Sequence, residues 1–212
     1  MRTESLLVVT SVAAERDAIL AGLTEPGPVE VCVVGVGPAA AAAGTARLLA
    51  REPYRAVLSA GIGGGFDGRV APGRVAMASE TIAADLGAGT PDGFLPLDEL
   101  GFGPVRYPAD PALFAALQKA LPDAVTGPVL TVSTATGSAG ATAALRSRYP
   151  DAVAEGMEGF GVATAATLCG VPFAELRTIS NTVGPRDRAA WRIPQALAAL
   201  SEVAGSLAKL TW

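Results

Sequence analysis

Short apolar runs alternate with helix-like segments along the chain, and this alternation limits the possible folds more than any other feature. The runs have the length of strands and are bounded by Gly, Pro or polar residues, whereas the segments between them are long enough for helices. The predicted strands lie at residues 5–10, 29–36, 56–59, 74–84, 129–133, 152–155 and 173–180, and the predicted helices at 13–23, 38–51, 110–121, 138–149, 157–169 and 193–210. Strands that alternate with helices predict a three-layer αβα sandwich with a central mixed, mainly parallel sheet.

The length of the chain fits a single domain. A chain of 212 residues with 50% hydrophobic residues is long enough to bury one sizeable core. Neither a repeat nor a linker divides the sequence, so we expect one domain over residues 1–212. Residues 86–108 are rich in Gly and Pro without a clear period, and we predict a long surface loop there, of the kind that often has a function.

Composition excludes several classes of protein. The net charge is −4 and no basic run is present, so nucleic acid is not an expected partner. No apolar run approaches the roughly 18–20 residues that span a bilayer, and the N-terminus is too short and acidic for a signal peptide, which together predict a cytoplasmic protein without a membrane partner. Because histidine and paired cysteines are missing, a zinc site or a histidine-based triad is excluded, and we expect neither metal nor cofactor. Cys32 and Cys169 are predicted to be small core residues.

The stretch 157–181 combines a glutamate with an otherwise apolar helix and strand. If Glu158 opens the helix, Val162, Ala165 and Cys169 share its face, so the carboxylate points to the apolar side. An ionised side chain is costly there unless it is hydrogen-bonded, which makes Glu158 a candidate ligand-binding residue. The alternative is an exposed first-turn glutamate that the helix dipole favours.

Glu15 repeats this pattern near the N-terminus. It shares a helix face with Ile19 and Gly22, and it comes one position too late to form a capping box with a cap at Ser11. A solvated glutamate is the alternative. Two inward carboxylates that each follow the carboxyl end of a strand fit a ligand site better, because open α/β sheets bind ligands at that edge.

Two glycine-rich segments follow predicted strands. Residues 35–40 match the dinucleotide-binding pattern G-x-G-x-x-A, but no acidic residue ends the next strand to bind a ribose, so we interpret these glycines as a tight turn and close helix packing. Residues 59–65 lead into another strand and no lysine follows, which rules out a P-loop. This second segment either lets the backbone approach a flat ligand closely or is a flexible connection.

Asn181 follows the last predicted strand. A side-chain amide donates and accepts hydrogen bonds at once, which suits recognition of the edge of a heterocycle. The alternative is an asparagine that forms the turn before Thr182–Pro185.

These motifs, taken in order, resemble the nucleoside phosphorylase/nucleosidase superfamily. They comprise a strand and loop before Glu15, S-A-G at 59–61, M-E at 157–158 and R-T-I-S-N at 177–181. The resemblance covers nearly the whole chain and is greatest to the methylthioadenosine/S-adenosylhomocysteine nucleosidases and, closer still, to the futalosine hydrolases of menaquinone biosynthesis. It implies a nucleoside phosphorylase-like fold and a purine nucleoside as the substrate.

The resemblance also implies a role for each motif. Glu15 would position and deprotonate the attacking water, Glu158 would hold the ribose 2′- and 3′-hydroxyls, and Met157 would pack against the sugar. A carboxylate at Glu15 favours hydrolysis over phosphorolysis because it repels phosphate and can activate water, and the adjacent Arg16 points away from it on a helix. The remaining predicted substrate-binding residues are Ser59, Ala60, Gly61 and Thr136.

The residue at 181 carries the prediction of the substrate. In the adenine-specific nucleosidases the residue after R-x-I-S is an aspartate that protonates the departing base, whereas 6-oxopurine-specific members have asparagine. An amide is no strong general acid, but it can stabilise a departing hypoxanthine through N7 and O6. The resemblance therefore implies hydrolysis of futalosine, with Glu15 and Asn181 as the catalytic residues.

Other functions stay open at this point. Within the same fold, the alternatives are a methylthioadenosine/S-adenosylhomocysteine nucleosidase and a 6-oxopurine nucleoside phosphorylase. In other classes, they are a nucleoside-binding protein without catalysis, which the presence of Glu15 disfavours, and a cofactor-binding domain built on residues 35–40.

The resemblance to the futalosine hydrolases raises two further expectations. Their substrate has an aryl ketone with a carboxylate on the 5′ side of the ribose, for which Arg186 or Arg188 is a candidate partner. Phe94 and Phe102 of the predicted loop are candidates to cover the aryl ring. Nucleosidases of this type are commonly homodimers, so we expect a homodimer or a higher homo-oligomer.

Overall fold

The computed structural model describes residues 5–23, 27–91 and 93–211. The strands are β1 (Leu6–Thr10), β2 (Val29–Val33), β3 (Ala56–Gly65), β4 (Val75–Ala83), β5 (Gly87–Thr90), β6 (Gly93–Pro96), β7 (Arg106–Pro108), β8 (Val125–Thr131), β9 (Ala154–Gly156) and β10 (Phe173–Thr182). The helices are α1 (Ala13–Gly22), α2 (Pro38–Leu49), α3 (Pro111–Ala120), α4 (Ala139–Arg148), α5 (Gly159–Leu168) and α6 (Ile193–Leu207), with a short 3-10 helix at Arg188–Ala190. Among these helices of the described residues, none is long and apolar enough to cross a membrane.

Eight strands form one mixed sheet that closes on itself. β1 pairs in parallel with β2 and β3, and the strands β3, β10, β4, β8 and β9 follow one another in a ring of hydrogen-bonded neighbours. Three pairings are antiparallel, namely β4 with β10, β3 with β9 and β4 with β7, whereas the others are parallel. The sheet is therefore mixed and mainly parallel, as predicted.

Apolar side chains cover both faces of this sheet. In β1, Leu6 and Val8 pack into a core with residues of α1, α3 and α6, whereas Leu7 and Val9 pack on the other face with residues of α2 and α5. A parallel strand that is covered on both faces needs apolar residues at successive positions, which explains the continuous apolar runs of the sequence. The two cores confirm the predicted helix–sheet–helix layers.

β3 runs well beyond its predicted end and includes the glycine-rich segment. A Cβ atom at Gly63 would lie 2.6 Å from the carbonyl oxygen of Glu155, and one at Gly65 would lie 2.3 Å from that of Val70. Neighbouring backbone therefore approaches β3 too closely for a larger residue. Pairing with β9 and β10 holds these glycines in the sheet although glycine has a low intrinsic preference for strands.

The predicted loop at 86–108 contains regular structure. β5 and β6 form an antiparallel hairpin, and β7 pairs with β4. The prediction of one long loop is wrong for these parts. β5 reads Gly-Ala-Gly-Thr and is mostly exposed, so it lacks the apolar alternation by which a strand is recognised.

The two cysteines do not behave as the predicted pair of core residues. Cys169 follows the last residue of α5 and is exposed, and Cys32 in β2 is only half-buried. The helix face that begins at Glu158 is buried at Val162 and Ala165. This face reaches the protein surface before Cys169, so the buried part of the helix is shorter than its periodicity predicts.

Candidate active site

A cavity of about 270 Å³ opens at the carboxyl ends of β1, β3 and β10. This is the edge at which α/β sheets bind ligands. The predicted site residues that line the cavity are Glu15, Thr136, Met157, Glu158 and Asn181. They come from α1, the loop after β8, the segment between β9 and α5, and β10, so the fold brings together residues that are far apart in the sequence.

Glu15 is only 2% exposed, and its carboxylate accepts four hydrogen bonds. Oε2 accepts from the backbone N–H of Ser11 at 3.0 Å, from its hydroxyl at 2.7 Å and from the N–H of Val12 at 3.3 Å. Oε1 accepts from the N–H of Ile62 at 2.9 Å. Because α1 begins at Ala13, Glu15 is its third residue and caps the helix start, so the expected cap at Ser11 lies one residue too early.

Glu158 directly precedes α5 and is buried, which confirms its predicted inward orientation. Oε1 accepts from the N–H of Gly37 at 3.2 Å, and Oε2 accepts from the N–H of Met157 at 3.3 Å and from Nη1 of Arg177 at 3.0 Å. Gly37 has a φ of 86°, a conformation that favours glycine. The tight turn at 35–37 therefore exists, and it directs a backbone donor at the site.

Arg177 is the centre of a buried ion-pair network that the sequence analysis missed. Its Nε donates to Oε1 of Glu175 at 2.9 Å and its Nη2 to Oγ of Ser59 at 3.1 Å, in addition to the bond with Glu158. The side chains of Arg177 and Glu175 are 1% and 0% exposed. The sequence contains a signal for this pair. Glu175 and Arg177 have opposite charges and stand two residues apart on an otherwise apolar strand, so their side chains lie on the same face.

Burial and charge act in opposite directions in this network. Burial opposes the charge of Arg177, but the carboxylates around it outweigh burial and raise the pKa of the guanidinium. Burial also raises the pKa of the Glu175 carboxyl, and the guanidinium of Arg177 only partly offsets this effect. Glu158 and Glu175 thus share one cation that stays protonated.

The part of β3 that faces the cavity lies further along the strand than predicted. Three predicted site residues are buried and do not line the cavity, namely Ser59, Ala60 and Gly61. A Cβ atom at Gly61 would lie 2.6 Å from Oε1 of Glu15 and 3.1 Å from Nη1 of Arg177, so glycine leaves room for both groups. The cavity wall is formed by residues 62–64 instead. The prediction ended β3 too early because glycine has a low preference for strands, so residues 61–65 show no strand pattern in the sequence.

Asn181 lines the cavity with an amide that neighbouring residues orient. Its Oδ1 accepts from Oγ of Ser180 at 2.8 Å, and its Nδ2 donates to the carbonyl oxygen of Thr182 at 3.0 Å. Ser180 Oγ also lies 3.1 Å from the carbonyl oxygen of Gly63, to which it can donate. These contacts leave one N–H of the amide and one lone pair of its oxygen for a ligand.

A further carboxylate, Glu155 in β9, lines the cavity and was not selected from the sequence. One of its oxygens accepts from the backbone N–H of Thr136 at 2.9 Å and the other accepts from the hydroxyl of the same residue. Burial raises the pKa of the Glu155 carboxyl, although both hydrogen bonds from Thr136 oppose this shift. The only sequence signal is a charged residue inside a short buried strand.

Apolar side chains line the mouth of the cavity, and two basic side chains lie beside one of them. Val12, Val36 and Trp191 line it, and Val36 is 55% exposed. The guanidinium carbons of Arg186 and Arg188 lie 5.9 and 6.0 Å from the centre of the Trp191 ring. Two arginines thus flank an aromatic ring at the cavity.

The two phenylalanines that were candidates to cover an aryl ring lie elsewhere. Phe94 packs under Arg148, whose guanidinium carbon lies 4.2 Å from the ring centre, and it lines an adjoining cavity. Phe102 is exposed. Neither residue lines the candidate active site, so the structure does not bring them to it.

Comparison with known proteins identifies the family. Residues 6–212 match the family model described as Phosphorylase superfamily. The chain belongs to this superfamily. Among curated members, it is 49% identical to the futalosine hydrolase of Streptomyces coelicolor over 96% of this chain and 94% of that protein. It is 45% identical to the futalosine hydrolase of Acidothermus cellulolyticus over 95% of this chain and 89% of that protein.

Solved structures of the superfamily share the fold. The methylthioadenosine/S-adenosylhomocysteine nucleosidase of Neisseria meningitidis, in complex with methylthio-immucillin-A, superposes with a TM-score of 0.85 and 19% identity, covering 98% of this chain and 100% of that one. The futalosine hydrolase of Helicobacter pylori superposes with a TM-score of 0.84 and 16% identity, covering 97% of each chain. The predicted nucleoside phosphorylase-like fold is therefore confirmed.

Proposed function

We propose that this chain is an N-glycosidase that hydrolyses the N-ribosidic bond of futalosine, releasing hypoxanthine and dehypoxanthine futalosine in menaquinone biosynthesis. The observation that carries the proposal is that one cavity holds Glu15, Glu158 and Asn181 together. These side chains supply what the reaction needs, namely a base for water, an anchor for the sugar and a partner for the departing purine. The identity to curated futalosine hydrolases supports this substrate over methylthioadenosine.

Glu158 is suited to hold the ribose. The cation of Arg177 and the backbone N–H groups of Gly37 and Met157 fix its carboxylate at the cavity wall. Each carboxylate oxygen can accept more than one hydrogen bond, so the 2′- and 3′-hydroxyls of a ribose can both donate to it. A negative charge beside the ribose also stabilises the oxocarbenium-like transition state as positive charge develops at C1′.

The charge of the cavity favours water over phosphate as the nucleophile. Three carboxylates line it, those of Glu15, Glu155 and Glu158, and no lysine or arginine is among its described lining residues. Such a surface repels a phosphate anion. Arg16, the basic residue next to Glu15, forms an ion pair with Asp17 at 2.7 Å and does not line the cavity.

Glu15 is the proposed general base. The attacking water forms the new C1′–O bond and gives a proton to Glu15. The electron pair of the broken C1′–N9 bond leaves with the purine. The departing hypoxanthine then takes up a proton from solvent. Asn181 stabilises the developing negative charge by donating its remaining N–H to the edge of the purine that carries N7 and O6.

The 5′ group of futalosine is proposed to lie at the mouth of the cavity. Trp191 offers an aromatic face for the aryl ring, and Arg186 and Arg188 next to it offer cations for the carboxylate. Exposed Val12 and Val36 provide an apolar rim. Exposed apolar side chains are stabilised when a second subunit covers them, so the proposal includes a homodimer. It also includes a single domain in each chain and a location in the cytoplasm.

One comparison of substrates tests the proposal. Purified protein is incubated with futalosine, methylthioadenosine and inosine, each with and without phosphate, and base release is measured. We expect futalosine to have the highest kcat/KM, with no dependence on phosphate. A preference for methylthioadenosine contradicts the role of Asn181, and a requirement for phosphate contradicts the role of Glu15.

A further inference from the structure

Glu155 is the one carboxylate of the cavity that the proposed reaction leaves without a task. It is buried, it lines the cavity, and it lies on β9, a strand of only three residues between β3 and β8. Both carboxylate oxygens accept one hydrogen bond each, from Thr136. Each oxygen therefore keeps a lone pair that a ligand can use.

The charge of Glu155 is not balanced by a cation of the protein. Glu158 and Glu175 are paired with Arg177, but no ion pair among residues 5–23, 27–91 and 93–211 includes Glu155. A buried carboxylate with neutral partners alone is costly, so an additional donor stabilises its ionised form. A bound ligand with an N–H group directed at Glu155 supplies that donor.

The strand register places Glu155 opposite Asn181. β3 lies between β9 and β10, and its residue Gly64 is paired with Glu155 on one side and with Asn181 on the other. The pairing of β10 with β3 is irregular between Ile179 and Asn181, but Glu155 and Asn181 both line the same cavity. With strands about 4.8 Å apart, the two backbones are separated by about 10 Å. Between them lies a glycine, so a flat ring system can rest on bare backbone.

We propose that Glu155 is a specificity-determining residue that reads the Watson–Crick edge of the departing base and selects a 6-oxopurine. Its carboxylate accepts a hydrogen bond from the N1–H of hypoxanthine, while Asn181 binds the neighbouring edge, which carries N7 and O6. Adenine has an unprotonated N1 that faces a carboxylate with a lone pair, so the same contact is repulsive. Glu155 therefore forms a hydrogen bond with hypoxanthine but repels adenine, and this difference favours cleavage of the 6-oxopurine nucleoside.

This inference rests on the proposed cleavage of a purine nucleoside and adds a second determinant of the base to Asn181. The competing explanation is that Glu155 only holds the loop that contains Thr136. The two explanations differ in what they predict for different bases. A loop anchor affects all substrates alike, whereas a base-reading residue affects hypoxanthine and adenine differently.

The main experiment compares futalosine with its analogue that carries adenine, using Glu155→Gln. The amide oxygen of glutamine can still accept a hydrogen bond from Thr136. Its NH2 group faces the N1–H of hypoxanthine, which is also a donor, so that hydrogen bond is lost. The same NH2 group can donate to the N1 of adenine, which is an acceptor. We expect kcat/KM for futalosine to fall about 10- to 100-fold, and kcat/KM for the adenine analogue to stay within about threefold or to rise. Equal losses on both substrates, or no loss on either, overturn the proposal.

Two further measurements keep the test decisive. Glu99→Gln changes an exposed glutamate outside the cavity and should leave both values unchanged. For the wild-type protein, which avoids any folding defect of the variant, inosine should be cleaved at least about tenfold more efficiently than 1-methylinosine, which lacks the N1–H. Equal cleavage of these two nucleosides also contradicts the proposal.

Failure of the proposed function is distinguishable from failure of this inference. If the wild-type protein releases no base from futalosine or inosine, the proposed hydrolysis is wrong. The reading of the base is then decided by calorimetric titration with free hypoxanthine and free adenine. Tighter binding of hypoxanthine that Glu155→Gln abolishes supports the inference, whereas equal binding of the two bases refutes it.

Discussion

The buried carboxylates of this protein are held in two ways. Glu158 and Glu175 share the guanidinium of Arg177, at 3.0 and 2.9 Å. Within the described part of the chain, Glu15 and Glu155 accept hydrogen bonds only from uncharged groups, namely backbone N–H groups and the hydroxyls of serine and threonine. Both kinds are buried. The difference lies in the charge that surrounds them.

This difference separates positioning from chemistry. A carboxylate bound to a buried arginine is held in one orientation, and because Glu158 and Glu175 share one guanidinium, the group keeps a net negative charge. This arrangement suits Glu158 to hold the hydroxyls of a sugar. A carboxylate with uncharged donors has no paired cation to compete for its oxygens, so these can take a proton from water or accept a hydrogen bond from an N–H group of a purine. Substitutions of Glu15, Glu155, Arg177 and Asn181 test whether the two groups differ in this way.

The largest effect is expected when the charge of Glu15 is removed. Glu15→Gln keeps an oxygen acceptor for Ile62 but cannot take up a proton, so kcat for hypoxanthine release should fall about 10²- to 10⁴-fold. KM should change little, because the sugar and base contacts remain. Steady-state kinetics with futalosine measures both values. A variant with near-normal kcat would remove Glu15 from the role of the base.

Arg177→Met tests the other group and should act on stability. It leaves the carboxylates of Glu158 and Glu175 buried without a cation, which should lower the free energy of unfolding by about 3–5 kcal/mol. Urea denaturation followed by circular dichroism measures this change. Glu15→Gln serves as the matched control and should change stability less, since Glu15 is not among the ion-pair partners of Arg177 in the described residues and only adds to the negative charge around it. If the two variants lose similar stability, the division into two groups is not supported.

Asn181→Asp adds a carboxylate to the side of the cavity that has no cation. An aspartate can protonate a departing adenine, so kcat/KM for methylthioadenosine relative to futalosine should rise roughly tenfold or more. Ser180 should still orient the new side chain, because its hydroxyl can donate to a carboxylate oxygen. Base release from both substrates, measured side by side, checks the ratio. An unchanged ratio argues against contact of this residue with the base.

The smallest effect is a pH dependence that comes from Glu155. Burial raises the pKa of its carboxyl above the ordinary 4.5, so the folded protein binds the proton more tightly than the unfolded chain does. The free energy of unfolding should therefore fall as pH rises from the ordinary value through the raised pKa, and Glu155→Gln should lack this part of the fall. The raised pKa of Glu175 adds a similar fall in both proteins, so the difference between them isolates Glu155.

Over the same pH range, ionisation of Glu155 should increase the preference for futalosine over its adenine analogue. Stability and base preference thus change in opposite directions as pH rises. Urea denaturation and substrate competition at a series of pH values measure the two quantities. Parallel stability curves for the wild type and Glu155→Gln would contradict the assignment of the pH dependence to this residue.

The sequence predicted the layers and part of the site for physical reasons that are visible in the structure. Strands covered on both faces need continuous apolar runs, and helix periodicity placed Glu15 and Glu158 on inward faces, where the structure has them. Periodicity was a poorer guide at the ends of helices and strands and in glycine-rich segments. β3 continues through Gly65 because its neighbours supply hydrogen bonds, which no local pattern reveals.

Three buried charged residues of the site, Glu155, Glu175 and Arg177, were not predicted from the sequence, for reasons that differ between them. Arg177 and Glu175 stand two residues apart in β10, and their pairing is readable once the strand is assumed to be buried. Glu155 could not be assigned from the sequence, because its role depends on β9 lying beside β3 and on the approach of Thr136 from another loop. Local patterns show which side chains point inward, whereas tertiary structure decides which of them meet.

Hydrolysis by a water molecule that Glu15 activates is the central claim, and isotope transfer tests it most directly. The protein is incubated with futalosine and phosphate in water enriched in oxygen-18, and the sugar product is examined by mass spectrometry. We predict one labelled oxygen at C1′ per turnover in the wild type, with a rate that falls about 10²- to 10⁴-fold in Glu15→Gln. An unlabelled sugar phosphate as the product would contradict the account.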